Sequence, residues 1–181
     1  MTAYVPYALR ELGIGAAALG ATFALAGVGS LLGSSVSEAL GRRVGIPATV
    51  VGSRLLEAGG FAVVTAAGGT DGSAVVVVVA AGQFLYGLGL GAEGPIELSY
   101  RQAITPDRLQ GRMNATMRSL NRAAVVAGAP LGGLFADVVG LRPALWLGSA
   151  SVAAAGVVLA VSGFRAASHH DQPPPVQPAD R

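Results

Sequence analysis

Two ionisable side chains interrupt an otherwise apolar stretch of the sequence, where they could do chemistry. Arg54 and Glu57 are three residues apart in the stretch 46–69, so a helix places them on one face. At 1.5 Å per residue they lie roughly 12 to 16 Å beyond Ile46. An ionisable residue at that depth in a membrane needs a partner, and it often serves as a proton site or a counter-charge. Two interpretations stay open: a functional site, or a structural role as a mutual ion pair or a snorkelling Arg54.

A second set of polar side chains lies between residues 74 and 98. Gln83 and Tyr86 are three residues apart, which lets a helix present both on one side. They could hydrogen-bond a substrate or join neighbouring helices, and the sequence favours neither interpretation. Glu93 follows further along the same stretch and is the candidate for a proton-linked or gating carboxylate.

No catalytic constellation accompanies these residues. The sequence has no Cys, its two histidines are His169 and His170, and its carboxylates are scattered along the chain. The adjacent histidines lack a third ligand, so neither a metal nor another cofactor is predicted. The net charge is +2 with 6% aromatic residues, which argues against a nucleic-acid surface. We therefore do not expect an enzyme or a nucleic-acid-binding protein.

The elements that must position these residues are long apolar runs typical of membrane spans. The chain is 52% hydrophobic and 12% charged, and its apolar residues form continuous blocks. A bilayer core requires about 20 such residues, and these blocks reach that length. The valine run 75–79 alone would suit a buried strand, but its apolar continuation is too long for one. The sequence predicts an all-α membrane protein whose five spans, numbered in chain order, lie at about residues 12–36, 46–69, 74–98, 119–139 and 143–164.

The arginines are distributed unevenly among the loops between these spans. The loops after spans one and three hold six arginines, whereas the loop after span four holds only Arg142. By the positive-inside rule the arginine-rich loops are cytoplasmic, so we expect a multi-pass protein of the inner (cytoplasmic) cell membrane, embedded in the lipid bilayer. A transmembrane domain at 1–165 is then followed by a proline-rich segment, 166–181, predicted to be a disordered cytoplasmic tail.

A ten-residue pattern, small-x-x-x-acid-x-x-Gly-x-Arg, occurs at 34–43 and again at 133–142, after spans one and four. Glycine permits a left-handed turn, and the acid can cap a helix or pair with a nearby arginine. The copies are predicted on opposite sides of the membrane, as in the inverted repeats of secondary transporters. The alternative is that both are merely polar loop boundaries. The motif residues are Glu38, Gly41, Arg42 and Arg43 in the first copy, and Asp137, Gly140 and Arg142 in the second.

Other local patterns predict helix contacts and a helix start. Three glycine pairs with four-residue spacing should let helices approach closely, namely Gly29 with Gly33, Gly87 with Gly91, and Gly128 with Gly132. The sequence Thr105-Pro106-Asp107 predicts a short cytoplasmic helix with Thr105 as its N-cap and Asp107 in its first turn.

The first copy of the repeat resembles a loop motif of the major facilitator superfamily, Gly-x-x-x-Asp-Arg-x-Gly-Arg-Arg. Gly41, Arg42 and Arg43 match that motif, whereas Ser34 and Glu38 replace its first glycine and its aspartate, and Ala39 replaces its first arginine. The segment 101–115 is similar to the loop before helix 11, and the segment 130–137 is similar to helix 11 itself, in the branch of macrolide-efflux and enterobactin-exporter-like permeases.

The resemblance covers residues 4–164 and implies that the five spans are helices 8 to 12, with residues 1–7 as the end of helix 7. It implies a missing N-terminal half, supplied by the same gene product or by a second chain. It also implies proton-coupled efflux of a small amphipathic substrate, such as a drug or a siderophore, with Gln83 and Tyr86 on a helix that lines the pathway. The alternative is a small membrane scaffold or partner subunit that assembles through its glycine-rich faces.

Overall fold

The structure, a computed structural model, describes residues 3–70 and 72–162. A short turn α1 (Tyr4–Pro6) runs into a π-helical turn (Tyr7–Glu11), and a 3-10 turn (Ala67–Gly69) follows the third helix. Five of the helices are long and apolar enough to cross a membrane, and no strand occurs in the described residues, which confirms the predicted all-α membrane fold. These helices are α2 (Ala16–Val44), α3 (Ile46–Ala66), α4 (Ser73–Ile104), α5 (Asp107–Val139) and α6 (Leu141–Val161).

The helix ends differ from the predicted spans where glycine or proline decides them. α2 begins at Ala16 rather than at residue 12, because Gly13 has a left-handed backbone with φ +63°. α5 is one continuous helix from Asp107 to Val139, in place of a short helix followed by a separate span. The predicted tail at 166–181, with His169 and His170, lies outside the described residues.

The prediction of Thr105 as the N-cap of the helix after it is wrong. Pro106 occupies the N-cap position of α5, and Asp107 lies in the first turn as expected. The Thr105 hydroxyl instead donates a hydrogen bond to the carbonyl oxygen of Arg101, 2.7 Å away. Thr105 therefore ends α4, and the proline stops the chain from continuing in the same helix.

The central helix is α4, which packs against α2 on one side and against α3 on the other. At the α2–α4 crossing, Gly29 and Gly33 lie directly against the backbone of α4, and Gly87 and Gly91 lie directly against the backbone of α2. The predicted close approach is confirmed for these two pairs. For Gly128 and Gly132 it is wrong within the described chain, because nothing lies within 4 Å of a Cβ built at either position.

A second set of glycines brings α3 against α4. A Cβ on Gly60 would lie 2.6 Å from the carbonyl oxygen of Gly82, and one on Gly82 would lie 2.7 Å from that of Gly60. A Cβ on Gly89 would lie 2.6 Å from the Ser53 carbonyl oxygen and 2.9 Å from the Glu57 side chain. Because no side chain intervenes, the two backbones meet at van der Waals distance, and polar groups on facing turns come within reach of each other.

Hydroxyl groups add hydrogen bonds between helices. Ser37 of α2 donates to the carbonyl oxygen of Ala92 in α4 at 2.7 Å, and Ser149 of α6 donates to that of Ala58 in α3 at 2.8 Å. The buried Tyr7 hydroxyl donates to the carbonyl oxygen of Thr65 at 2.8 Å. These contacts fix α2, α3, α4 and α6 in register, whereas α5 contacts mainly α6.

The two copies of the repeat differ at the glycine that makes the turn. In the second copy, Gly140 has φ +96° and separates α5 from α6, as the motif predicts. In the first copy, Gly41 is inside α2, and the residue with φ +88° is Gly45, which separates α2 from α3. The assignment of Gly41 as a turn residue is therefore wrong, because α2 continues for one more turn.

Candidate functional site

The α3–α4 crossing brings Arg54, Glu57 and Glu93 together in what we name the charge cluster. Arg54 Nη1 is 3.4 Å from Glu57 Oε2, and Arg54 Nη2 is 2.5 Å from Glu93 Oε1. The side chains of Glu57 and Glu93 are 4% and 5% exposed, whereas that of Arg54 is 34% exposed. The ion pair within α3 was one of the two interpretations open from the sequence, and the structure adds a third member from α4.

The charges of this cluster do not balance when both carboxylates are ionised. One guanidinium then faces two carboxylates, and one oxygen of each, Glu57 Oε1 and Glu93 Oε2, is buried without a hydrogen-bond partner. Such an oxygen is costly away from water and usually marks a strained or functional position. A proton on either carboxyl group would cancel the excess charge and supply a donor for an unpaired oxygen.

Gln83 and Tyr86 lie earlier in α4 than Glu93 and are not part of the charge cluster. The Gln83 side chain is buried, and the Tyr86 ring packs edge-on against Phe61 of α3, with ring centroids 4.9 Å apart. Tyr86 is seven residues before Glu93, so it lies on the same side of α4 roughly 10 Å away. The structure thus places Arg54, Glu57 and Glu93 in one site, with Tyr86 two turns along the same helix interface.

Arg54 also borders a cavity of about 900 Å³ between α3, α4 and α5, which we name the arginine cavity. Its wall on α4 includes Glu97 and Arg101, whose charged groups are 3.7 Å apart, and its wall on α5 includes Arg118. Neither Glu97 nor Arg101 is predicted as a site residue from the sequence. The four-residue spacing of Glu93, Glu97 and Arg101 along one face of α4 is the signal that could have identified them.

The residues of the repeated motif lie at opposite ends of the bundle. Glu38 and Arg42 form an exposed ion pair at the end of α2, beside Pro95 and Tyr100 of α4. In the second copy, Arg142 lies beside Gly68, next to the Tyr7 hydroxyl.

In the first copy Glu38 pairs with Arg42, and among the residues that the structure describes it forms no ion pair with Arg43, the arginine of the repeated pattern. Asp137 is exposed and forms no ion pair with any residue that the structure describes. Arg43, next to the paired Arg42, is likewise exposed at the end of α2.

Comparison with known proteins identifies one family. The family model of the Major Facilitator Superfamily matches residues 1–180, nearly the whole chain. No curated protein and no solved structure gives a match to the chain.

Proposed function

The chain belongs to the major facilitator superfamily of membrane transporters, and from this premise we propose that it is the C-terminal half of a proton-coupled efflux permease. The substrate is a small amphipathic molecule of the drug or siderophore type, in keeping with the macrolide-efflux and enterobactin-exporter-like branch. Helices α2 to α6 correspond to helices 8 to 12. The N-terminal half comes from the same gene product or from a second chain.

The observation that carries the coupling to protons is the charge cluster of Arg54, Glu57 and Glu93. Ionisable groups inside a membrane are expensive and mark proton or substrate pathways. When Glu93 takes a proton, the negative charge that holds Arg54 to α4 disappears. Glu57, which is on the same helix as Arg54, keeps its ion pair with that arginine. Efflux driven by an inward proton gradient requires that proton and substrate exclude each other, so the substrate binds while Glu93 is ionised and leaves when Glu93 is protonated.

The position of the arginine cavity supports this direction of transport. Arg101 lies in the last turn of α4, and Arg118 lies about three turns into α5, so both belong to the arginine-rich segment around the α4–α5 connection. By the positive-inside rule that end of the bundle is cytoplasmic, as is the C-terminus of the chain. A cavity near that side can take up its occupant from the cytoplasm, as efflux requires.

A membrane scaffold or partner subunit is the second candidate, and the surface of α5 favours it. Large apolar side chains along this helix are exposed, and Gly128 and Gly132 meet no other helix within the described residues. A face of this kind suits packing against another membrane polypeptide. The missing half of a permease and a separate partner protein would both satisfy it, so function must be tested at the charge cluster.

We expect Glu93→Gln to abolish proton-coupled transport. Inverted vesicles, prepared from membranes that contain the chain together with its N-terminal half, would be acidified inside, and proton release would be followed on addition of a macrolide, a fluoroquinolone and a catecholate siderophore. The native protein should release protons with at least one of these compounds, and the E93Q protein with none, because glutamine cannot exchange a proton at this position.

The matched control is Glu38→Gln, which removes an exposed carboxylate of α2 that is paired with Arg42. E38Q should release protons like the native protein. Proton release that is equal in native and E93Q vesicles would contradict the proposed role of the charge cluster. A native protein that responds to none of the compounds would favour the scaffold.

A further inference from the structure

The charges that line the arginine cavity are predominantly positive. Its lining includes three arginines, Arg54, Arg101 and Arg118, and a single acidic residue, Glu97. The charged groups of Glu97 and Arg101 are 3.7 Å apart, and Arg54 is paired with Glu57 and Glu93. Arg118 has no carboxylate within ion-pair distance in the part of the chain that the structure describes. The cavity therefore holds an unneutralised cation beside a second cation that is only loosely paired.

The wall on α5 alternates between polar and apolar strips. Asn114, Arg118 and Asn121 follow one another at intervals of four and three residues, so they occupy one face of the helix. They provide amide and guanidinium donors in the same cavity. Met117 and Leu120 also line the cavity, and Leu98 adds an apolar surface from α4. The lining thus combines a cationic polar strip with apolar surface.

The size of the cavity suits a small organic molecule. A volume of about 900 Å³ falls in the range of about 300 to 1,000 Å³ that is common for ligand sites. Guanidinium groups bind carboxylate and phosphate through paired, charge-assisted hydrogen bonds. Such bonds favour an acidic group over a neutral one.

We propose that the arginine cavity binds an amphipathic anion, with its carboxylate or phosphate on Arg118 and Arg101 and its apolar part against Leu98, Met117 and Leu120. The inference rests on the proposed function and deepens it, because it gives the transported molecule an acidic group. The same chemistry is offered by a soluble acidic solute and by the headgroup of an anionic phospholipid.

Binding can be measured on the full 181-residue chain without any transport. The chain would be purified in dodecyl maltoside, a neutral amphiphile, and titrated with dodecyl phosphate, which has the same alkyl tail and an anionic head. We expect saturable binding that Arg118→Gln weakens about tenfold, the loss typical of one charge-assisted hydrogen bond, with a similar loss for Arg101→Gln.

Arg112→Gln is the matched control, because Arg112 is an exposed arginine on the same helix that borders a different cavity, with Thr105 and Leu109. R112Q should bind like the native chain. Glu97→Gln should tighten binding several-fold, since it frees Arg101 and removes a repelling charge. This gain cannot come from partial unfolding, so it tests the site independently of any loss in the arginine variants.

Competition distinguishes the two sources of the anion. If phosphatidylglycerol displaces dodecyl phosphate and phosphatidylcholine does not, the natural occupant is a lipid headgroup. If dodecyl phosphate binds and neither lipid displaces it, the occupant is a soluble acidic solute. Absence of saturable binding, or equal losses in R118Q and R112Q, would overturn the anion site. Such a result would leave the proton coupling untouched, because that depends on E93Q in the vesicle assay.

Discussion

Replacing Arg54 with Leu is expected to lower the free energy of unfolding of the chain by about 3 to 5 kcal/mol. The arginine is the shared partner of Glu57 and Glu93, and both carboxyl groups are almost completely buried. Without it, two buried carboxyl groups face each other with no cation between them. Unfolding in mixed micelles of dodecyl maltoside and dodecyl sulfate, followed by circular dichroism, would measure the loss.

Two comparisons separate lost charge from lost packing at this position. Arg42→Leu removes the arginine of an exposed pair with Glu38 and should cost less than about 1 kcal/mol. The triple variant Arg54→Leu, Glu57→Gln, Glu93→Gln should recover most of the stability, because no buried charge is then left unpaired. If the triple variant is as unstable as R54L, the loss does not come from unpaired buried charge, and the cluster does not stabilise the chain as proposed.

Replacing Gly91 with Leu should lower the free energy of unfolding by about 3 kcal/mol, the upper end of the usual range for overpacking. A Cβ at this position would collide with the backbone of α2 at Ser30, which cannot rotate away as a side chain could. The two helices must therefore separate, and the hydrogen bond from Ser37 to the Ala92 carbonyl would be lost as well. The same titration with dodecyl sulfate would give the change.

Gly27→Leu is the control for Gly91→Leu, since Gly27 is exposed on α2, the other helix of the same crossing, with nothing within 4 Å of a built Cβ. It should leave stability unchanged or raise it slightly, because leucine favours a helix more than glycine does. Equal losses in G91L and G27L would mean that a bulky residue anywhere in these two helices is harmful, and that their crossing is not close.

The fold class and the approximate spans could be predicted from the sequence because a bilayer requires about 20 consecutive apolar residues in each helix. The ends of the helices could not be predicted as well. α2 ends at Gly45 rather than at Gly41. The two glycines lie on either side of the same pair of arginines, and the sequence pattern does not show which glycine adopts the left-handed conformation. Similarly, four-residue glycine spacing predicts close contact, but it does not say whether a partner helix is present at Gly128.

In the candidate site, the contact within one helix could be predicted from the sequence, whereas the contact between two helices could not. The pairing of Arg54 with Glu57 follows from helical spacing alone. Glu93 follows Arg54 by 39 residues in the sequence, and the ion pair between them depends on where α3 crosses α4. That crossing is set by Gly60, Gly82 and Gly89, whose partners become known only when the two helices are placed together.

The central claim is that Glu57 and Glu93, held by Arg54, form one protonatable site inside the bundle, and infrared spectroscopy tests it most directly. The carboxyl stretching region of the full chain in lipid would be recorded across a pH series, for the native protein and for E57Q, E93Q and E38Q. We predict a protonated-carboxyl band that titrates in the native chain and in E38Q, loses the contribution of the buried pair in E93Q and changes in E57Q, because the two groups titrate as a coupled pair. A native spectrum identical to that of E93Q at every pH at which both remain folded would contradict the claim.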